Sequence, residues 1–375
     1  MKIAFYAPFK PLGHKNPSGD LIIAEGIVEF LKTRGHIIEV QSTLRARWIY
    51  FKPWAWPKLV LDCIKCLKNL HKNLPDLWLT YHSYYKAPDI IGPLVCRILN
   101  IKYIIFQGIY STKPKRRFKT IIGFYFNRLA LLRADHVFTN KSSDLKNLKR
   151  VIPEDKLTYI RPGIKPCEFK KNEKLGIKQR KQWGIKPKCH VILTAGMFRN
   201  DVKTQGLSWL IRCCARLVHL KTDFHLVIAG AGKMESHLKN LAKKHIHGHY
   251  TFAGKIKRED MFKFYSSGDV FAFPGIKESL GMVYLEAQSC SLPVIAFKNG
   301  GIPEVVKDKE TGFLLPMYEC KRFSDTLIYL LNNDVVSKQM GKDARAYVTK
   351  QHDIEYNYLV FEKTICTIAR QVVTK

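Results

Sequence analysis

No apolar run in these 375 residues approaches the roughly 18–20 that a membrane-spanning helix needs, which argues for a soluble or peripheral protein. The opening MKIAFYAP is too short an apolar run for a signal peptide and carries no small-residue cleavage site. The ten cysteines lack a metal-binding framework. Cys63-x-x-Cys66 has no second pair to complete a zinc site, and Cys213 and Cys214 are adjacent, so reduced, buried thiols in a cytosolic protein are expected. Acidic residues are scarce: 31 Asp and Glu stand against 63 Lys and Arg, a formal charge of +32 that an anionic partner must meet. The surplus is densest early, since residues 1–165 hold 29 basic and 11 acidic residues and the remaining 210 hold 34 and 20. Nor does the chain lack a core. A hydrophobic share of 46% excludes disorder, and the length favours two domains.

What is present begins with a strand over residues 2–7, a polar loop PLGHKNPSGD, an amphipathic helix from Leu21 to Thr33 closed by Gly35, and a strand IIEVQS. This β-loop-α-β start opens a doubly wound sheet. LWLTYH (Leu77 to His82) and YIIFQG (Tyr103 to Gly108) continue it, and ADHVFTNKSS (Ala134 to Ser143) is expected as its last strand with the cap of the next helix. A second set of strands starts at Val191–Ala195, with a helix expected from about Gly206, and continues through FHLVIAGAG, TFAG and Val270–Phe273. The Gly-x-Gly after FHLVIA is by itself a weak nucleotide signal.

The stretch with most chemistry is FAFPGIKESLGMVYLEA. An apolar strand is broken at Pro274-Gly275, Glu278 stands in the turn, and a helix beginning near Met282 carries Glu286. A strand feeding through a tight turn into a helix leaves the first helical N–H groups unpaired, which suits a phosphate or diphosphate. Two Glu eight residues apart mean little alone. Here they are followed by SLPVIAF, NGGIPEVV and TGFLLP in order.

Together these motifs resemble the donor-binding half of the retaining glycosyltransferases of glycosyltransferase family 4, most specifically between Val191 and Pro316. The resemblance implies an α/β chain with the GT-B fold: two Rossmann-like doubly wound domains facing each other across a cleft. Residues 1–163 form the acceptor-side domain, residues 164–354 the nucleotide-sugar domain, and a helix at about 355–375 returns to the first. It implies that Gly196, Ser279, Leu280, Gly281, Met282 and Val283 lie around the donor, with Glu286 on its ribose and Ile256 near its base. Glu278 lies near the transferred sugar, and Arg199 and Lys203 clasp the leaving diphosphate, whose developing charge they stabilise. Met197 stands where the family has Arg. Gly19, with Ser18, matches a Gly-rich loop that approaches the diphosphate but supplies one of its two usual glycines. Gln107-Gly108 stands where relatives carry His-Gly, a departure that leaves the role open between Gln107, which can bond a sugar hydroxyl, and His82, which can face the cleft although a His at a strand end is more often structural. TYIRPGIKPCEF matches the interdomain crossing.

No cofactor or metal is expected. There is no Asp-x-Asp of the kind that holds a metal-bound diphosphate, and the spacing in HIHGH (His245 to His249) suits solvated histidines better than ligands. From Arg45 to Lys58 five large aromatics alternate with basic residues in a Pro-interrupted loop, and KPKRRFK (Lys113 to Lys119) leads into an amphipathic helix. Aromatics favour the membrane–water boundary and basic residues favour anionic headgroups. The expected partners are therefore a nucleotide-diphosphate sugar, a glycan or lipid-linked acceptor such as a lipopolysaccharide core, and an anionic membrane surface, with the protein cytoplasmic and peripheral on the inner face. Nucleic acid is not expected, because the basic residues are spread and no recognition motif occurs. The competing readings are a non-catalytic membrane-associated or nucleic-acid-binding protein on the same scaffold, and a GT-B epimerase or phosphorylase.

Overall fold

The computed structural model describes residues 1–14 and 19–371; Ser18 lies outside them. The chain divides into two compact units, Met1–Arg161 together with the chain from Glu355 onward, and Pro162–Ile354.

The first unit runs β1 (Lys2–Tyr6), α1 (Gly19–Thr33), β2 (Ile37–Ser42), α2 (Trp56–Lys72), β3 (Leu77–Ser83), α3 (Ile91–Leu99), β4 (Lys102–Gly108), α4 (Phe118–Arg133), β5 (His136–Thr139), α5 (Ser142–Leu148) and β6 (Leu157–Tyr159). All six strands are parallel, in the order β2-β1-β3-β4-β5-β6. Side chains alternate across the sheet as its pleat requires. Ala4, Tyr6, Trp78, Tyr103, Ile105 and Val137 share one core layer with the inner faces of α2, α3 and α4.

The expectation that β5 ends this sheet is corrected: Leu157–Tyr159 adds a sixth, three-residue strand beside it. Three residues are too few to show a period of two, and Pro162-Gly163 just beyond mimics a linker. The aromatic stretch is also only partly exposed. Tyr50 is buried and donates its hydroxyl to Tyr85 O at 3.1 Å, whereas Trp54 is 74% exposed.

The second unit runs α6 (Glu173–Gln182), β7 (His190–Ala195), α7 (Val202–His219), β8 (Phe224–Ala229), α8 (Glu235–His245), β9 (Tyr250–Gly254), α9 (Met261–Ser266), β10 (Val270–Ala272), α10 (Met282–Ser289), β11 (Val294–Phe297), β12 (Gly312–Leu315), α11 (Cys320–Asn332) and α12 (Asp334–Gln351). Its parallel sheet has the order β12-β11-β10-β7-β8-β9. Its inner strands β7, β8, β10 and β11 are buried nearly throughout and read as near-continuous apolar runs. The expected helix start near Gly206 is four residues late. Asp201 caps α7, its carboxylate accepting the Lys203 N–H at 2.8 Å, so helix begins at Val202.

The closing helix α13 (Ile354–Arg370) belongs to the first unit. Phe361 meets Phe106 and Phe138 edge-on at 5.0 and 4.8 Å, and Glu362 pairs with Arg34 and His36.

Candidate functional site

The strand order places a switch point in the second sheet. β7 continues through α7 to β8 on one side, while its neighbour β10 continues through α10 to β11 on the other. In open α/β sheets ligands occupy the crevice outside the carboxyl ends of such a strand pair. The two loops that leave β7 and β10 hold most of the residues singled out from the sequence.

The loop after β10 is fixed by backbone contacts. Gly275 and Gly281 adopt left-handed φ of 68°, a region that a side chain rarely tolerates. Asn299 donates to Gly275 O at 2.9 Å, Tyr284 donates its hydroxyl to Phe273 O at 2.9 Å, and the Gly301 N–H donates to Glu278 O at 3.1 Å. The Gly300-Gly301 pair has a steric purpose. A Cβ on Gly300 would run into the Glu278 carbonyl, and one on Gly301 into the Ser279 carbonyl. The glycines that carry the family resemblance therefore let two loops lie backbone to backbone, and so set where Glu278 stands.

Gly281 caps α10 without any side-chain hydrogen bond, leaving the amides of Met282 and Val283 at the mouth of the helix. Ser279 is exposed, Leu280 and Gly281 are buried, and Met282 and Val283 are half-buried against the core. The Glu278 carboxylate is half-buried, and its Oε1 accepts the Ser279 N–H at 3.2 Å. Glu286 differs sharply. It is buried, accepts the Tyr265 hydroxyl at 2.9 Å, and has Arg258 Nη1 at 3.5 Å. Burial pushes its pKa up, against the lowering effects of the Tyr265 bond and the Arg258 charge. Arg258 also reaches Glu168 at 3.3 Å. Ile256, on the loop after β9, is half-buried against the same core.

The loop after β7 carries the cations. Phe198 is fully buried and anchors it. The Gly-x-Gly after β8 serves this loop: Cβ atoms on Gly230 and Gly232 would meet the backbones of Gly196 and Phe198. The exposed Arg199 guanidinium lies 3.1 Å from Met197 Sδ, and Thr204 donates its hydroxyl to the Arg199 carbonyl. Lys203 sits in the first turn of α7, where the helix dipole disfavours a cation unless an anion is near. Neither cation is paired with a carboxylate among the described residues. Gly206 lies against Phe273, Pro274 and Gly275, so the start of α7 abuts the loop after β10. A cavity of about 390 Å³ opens between them, lined by Asn200, Asp201, Gln205, Arg212, Ile276 and Tyr318 among others.

The sequence-derived residues thus fall into four places. Arg199, Lys203 and Gly196 share the β7 loop, and Glu278 through Val283 share the β10 loop beside it. Glu286 and Ile256 stand deeper, toward β9 and α9. Gly19 opens α1 in the first unit, with open space around it. Among the described residues no group of three His, Cys, Asp or Glu side chains is placed to hold a metal ion.

Two parallel sheets, each covered by helices, with this loop pair in the second, make the GT-B fold. Residues 177–347, within the second unit, match the family model for glycosyl transferases group 1. Among curated proteins, the chain is 35% identical over 154 residues to a GDP-mannose-dependent monoacylated alpha-(1-6)-phosphatidylinositol monomannoside mannosyltransferase of Corynebacterium glutamicum, covering 39% of this chain and 40% of that one. It is 26% identical over 324 residues to an uncharacterized glycosyltransferase of Methanocaldococcus jannaschii, covering 78% and 80%. The archaeal protein aside, the chain spans roughly half the length of the curated relatives it matches. The fold is similar to that of Anabaena HepE, solved in complex with UDP, with a TM-score of 0.77 at 17% identity over 98% of this chain and 100% of that one.

Proposed function

We propose that this chain is a retaining glycosyltransferase of family 4, moving a hexose-type sugar from a nucleotide-diphosphate donor to a glycan or lipid-linked acceptor in the assembly of a cell-surface saccharide. One observation carries the reading: a helix mouth without a side-chain cap beside a half-buried carboxylate, next to a loop with two cations that have no carboxylate partner among the described residues, all at the switch point of one sheet.

The donor diphosphate lies on the amides at the start of α10, with Arg199 and Lys203 over it. These cations offset the charge that develops as the glycosidic bond breaks. Glu286 receives a ribose hydroxyl, Ile256 packs near the base, and Glu278 holds hydroxyls of the transferred sugar. The leaving phosphate oxygen takes the acceptor proton, so the reaction needs neither a protein nucleophile nor a metal.

Features of the first unit support this acceptor and a site of action at a membrane face. Between Arg45 and Arg133 the sequence has seventeen Lys and Arg against three acids, Asp62, Asp76 and Asp89. Two of those, Asp62 and Asp89, are buried. On α4, Phe118, Ile122, Tyr125, Leu129 and Leu132 form one exposed stripe at helical spacing, and Val60, Leu61 and Ile64 do the same on α2. Apolar stripes rimmed by cations suit the inner, anionic face of a membrane, where each basic residue contributes about 1 kcal/mol. The Corynebacterium relative's phosphatidylinositol-linked acceptor supports a lipid-linked acceptor here.

The reading is tested by calorimetry with UDP, GDP and their sugar conjugates on the purified chain. One nucleotide series should bind, and Arg199→Ala with Lys203→Ala should weaken it by roughly tenfold to a hundredfold, the worth of charge-assisted hydrogen bonds. Affinity unchanged in the double variant removes both cations from the site.

A further inference from the structure

The buried carboxylate of Glu286 is held from two different elements. Tyr265 on α9 donates to Oε2 at 2.9 Å, and Arg258 Nη1 stands 3.5 Å from Oε1. Burial, and then the charge of Glu286, push the Tyr265 phenol up, so it stays protonated and only donates. Among the described residues the one cation acting on Glu286 is therefore Arg258.

Arg258 is itself fixed. It opens the turn Arg258–Asp260 after β9, and the acids beside it are engaged elsewhere, Glu259 by Lys257 at 3.7 Å and Asp260 by Lys263 at 2.6 Å. Its guanidinium lies 5.4 Å from the centre of the Phe169 ring, and its Nη2 reaches Glu168 Oε2 at 3.3 Å. The turn Pro166–Phe169 that carries both residues is tied to the end of α10. Ser289 donates to Pro166 O and Cys290 to Phe169 O, each at 3.2 Å. One planar fork thus divides two nitrogens between a buried and an exposed carboxylate, over an aromatic face.

The neighbours of Glu286 pull in opposite directions. Burial raises its pKa, the Tyr265 bond and the Arg258 charge lower it, and the like charge of Glu168 raises it again. α12 also packs on α10, and its Arg345 acts on Cys290, a thiol that burial pushes up to about 12 and keeps neutral.

We propose that Arg258 is a positioning residue for the donor ribose, keeping Glu286 in its charged, accepting form, and that the exposed Glu168 weakens this hold by drawing on the same guanidinium. This deepens the glycosyltransferase reading and rests on its assignment of Glu286 to the ribose. A carboxylate accepts from both hydroxyls of a ribose diol, whereas a protonated acid turns one oxygen into a donor. Preference for a ribonucleotide is therefore set through Glu286 by two side chains that lie at the surface.

The test compares UDP and GDP with their 2′,3′-dideoxy counterparts by calorimetry on the whole chain, from about pH 5 to 8.5. The ratio of the two affinities reports the ribose hydroxyls, since titration of the phosphates is common to both. For the nucleotide that binds, the parent should favour the diol about tenfold at the upper end and lose that preference as pH falls. In Arg258→Met the loss should set in at higher pH, because the charge that favours the carboxylate is gone. In Glu168→Gln it should set in at lower pH, because the opposing charge is gone. A merely structural Arg258, or one that touches the nucleotide itself, weakens both members of the pair together and leaves the profile where it was. That result overturns the proposal while the donor site stands. A profile that moves in Arg258→Met but not in Glu168→Gln overturns the part given to Glu168. A nucleotide that binds with no preference for the diol at any pH withdraws Glu286 from the ribose, and the proposal with it. Absence of any nucleotide binding removes the glycosyltransferase reading as well.

Discussion

Tyr265 on α9 donates its phenolic hydrogen to Oε2 of Glu286 on α10 across 2.9 Å, inside the core of the second unit. The bond holds a carboxylate where burial alone would neutralise it, and this has a consequence for stability. Because the native pKa of Glu286 is raised above its ordinary value of 4.5, the folded chain binds that proton more tightly than the unfolded one. The associated stability is complete below the unfolded pKa and is lost as pH rises through the raised native value. Above that raised value the native state carries an unfavourable buried charge.

Glu286→Gln should accordingly melt at the same temperature as the parent or higher at pH 7.5, with the gap closing toward pH 4.5. Gln still accepts from Tyr265, and Arg258 keeps Glu168. Nucleotide affinity should fall about tenfold. A variant that melts lower at pH 7.5 yet binds nucleotide normally contradicts both statements.

Glu278→Gln should lower turnover by roughly a hundredfold or more while nucleoside-diphosphate affinity stays close to normal. The side chain is half-buried and bonds only the adjacent Ser279 N–H among the described residues, so its removal costs the fold little. Steady-state rates with a sugar-nucleotide donor, beside calorimetry, separate the two effects; full turnover in the variant would falsify the role given to this carboxylate.

Gly301→Ala should destabilise the second unit by about 1–3 kcal/mol, since the new Cβ meets the Ser279 carbonyl and the loop must move. The same movement displaces Glu278, whose carbonyl accepts from Gly301, and should weaken donor binding. Urea melts and calorimetry on one preparation measure both. Wild-type stability would mean that the close backbone approach is not needed.

Phe118→Asp with Tyr125→Asp should leave the melting temperature nearly unchanged, because Phe118 is 91% exposed and Tyr125 half exposed. Flotation with vesicles rich in anionic lipid should fall about tenfold or more from the lost apolar area alone. Equal recovery of parent and variant places the membrane contact elsewhere, and equal recovery from neutral vesicles removes the anionic component.

Much of this was legible in the chain. Periodicity located the long helices within a few residues, and Pro274-Gly275, Gly281 and Gly300-Gly301 marked the turns, because conformations at positive φ and close backbone approaches select glycine locally. Short or context-held elements were not legible. The edge strand Leu157–Tyr159 exists only through its pairing with β5, and Asp201 caps α7 where Gly206 looked like its start. Trp48 to Trp56 resemble one aromatic loop, yet Tyr50 enters the core while Trp54 stays in solvent.

Chain-local signals were enough for the alternation of strands and helices, the loop bearing Glu278 and the basic surplus of the first unit, since each rests on residues adjacent in the chain. Only the tertiary structure brought Glu168 to Arg258, bent His82 and Gln107 into left-handed backbone, and buried Glu286 against Tyr265. The two contacts join residues 90 and 21 positions apart, and a contact of that kind is set by how strands and helices pack rather than by any local preference.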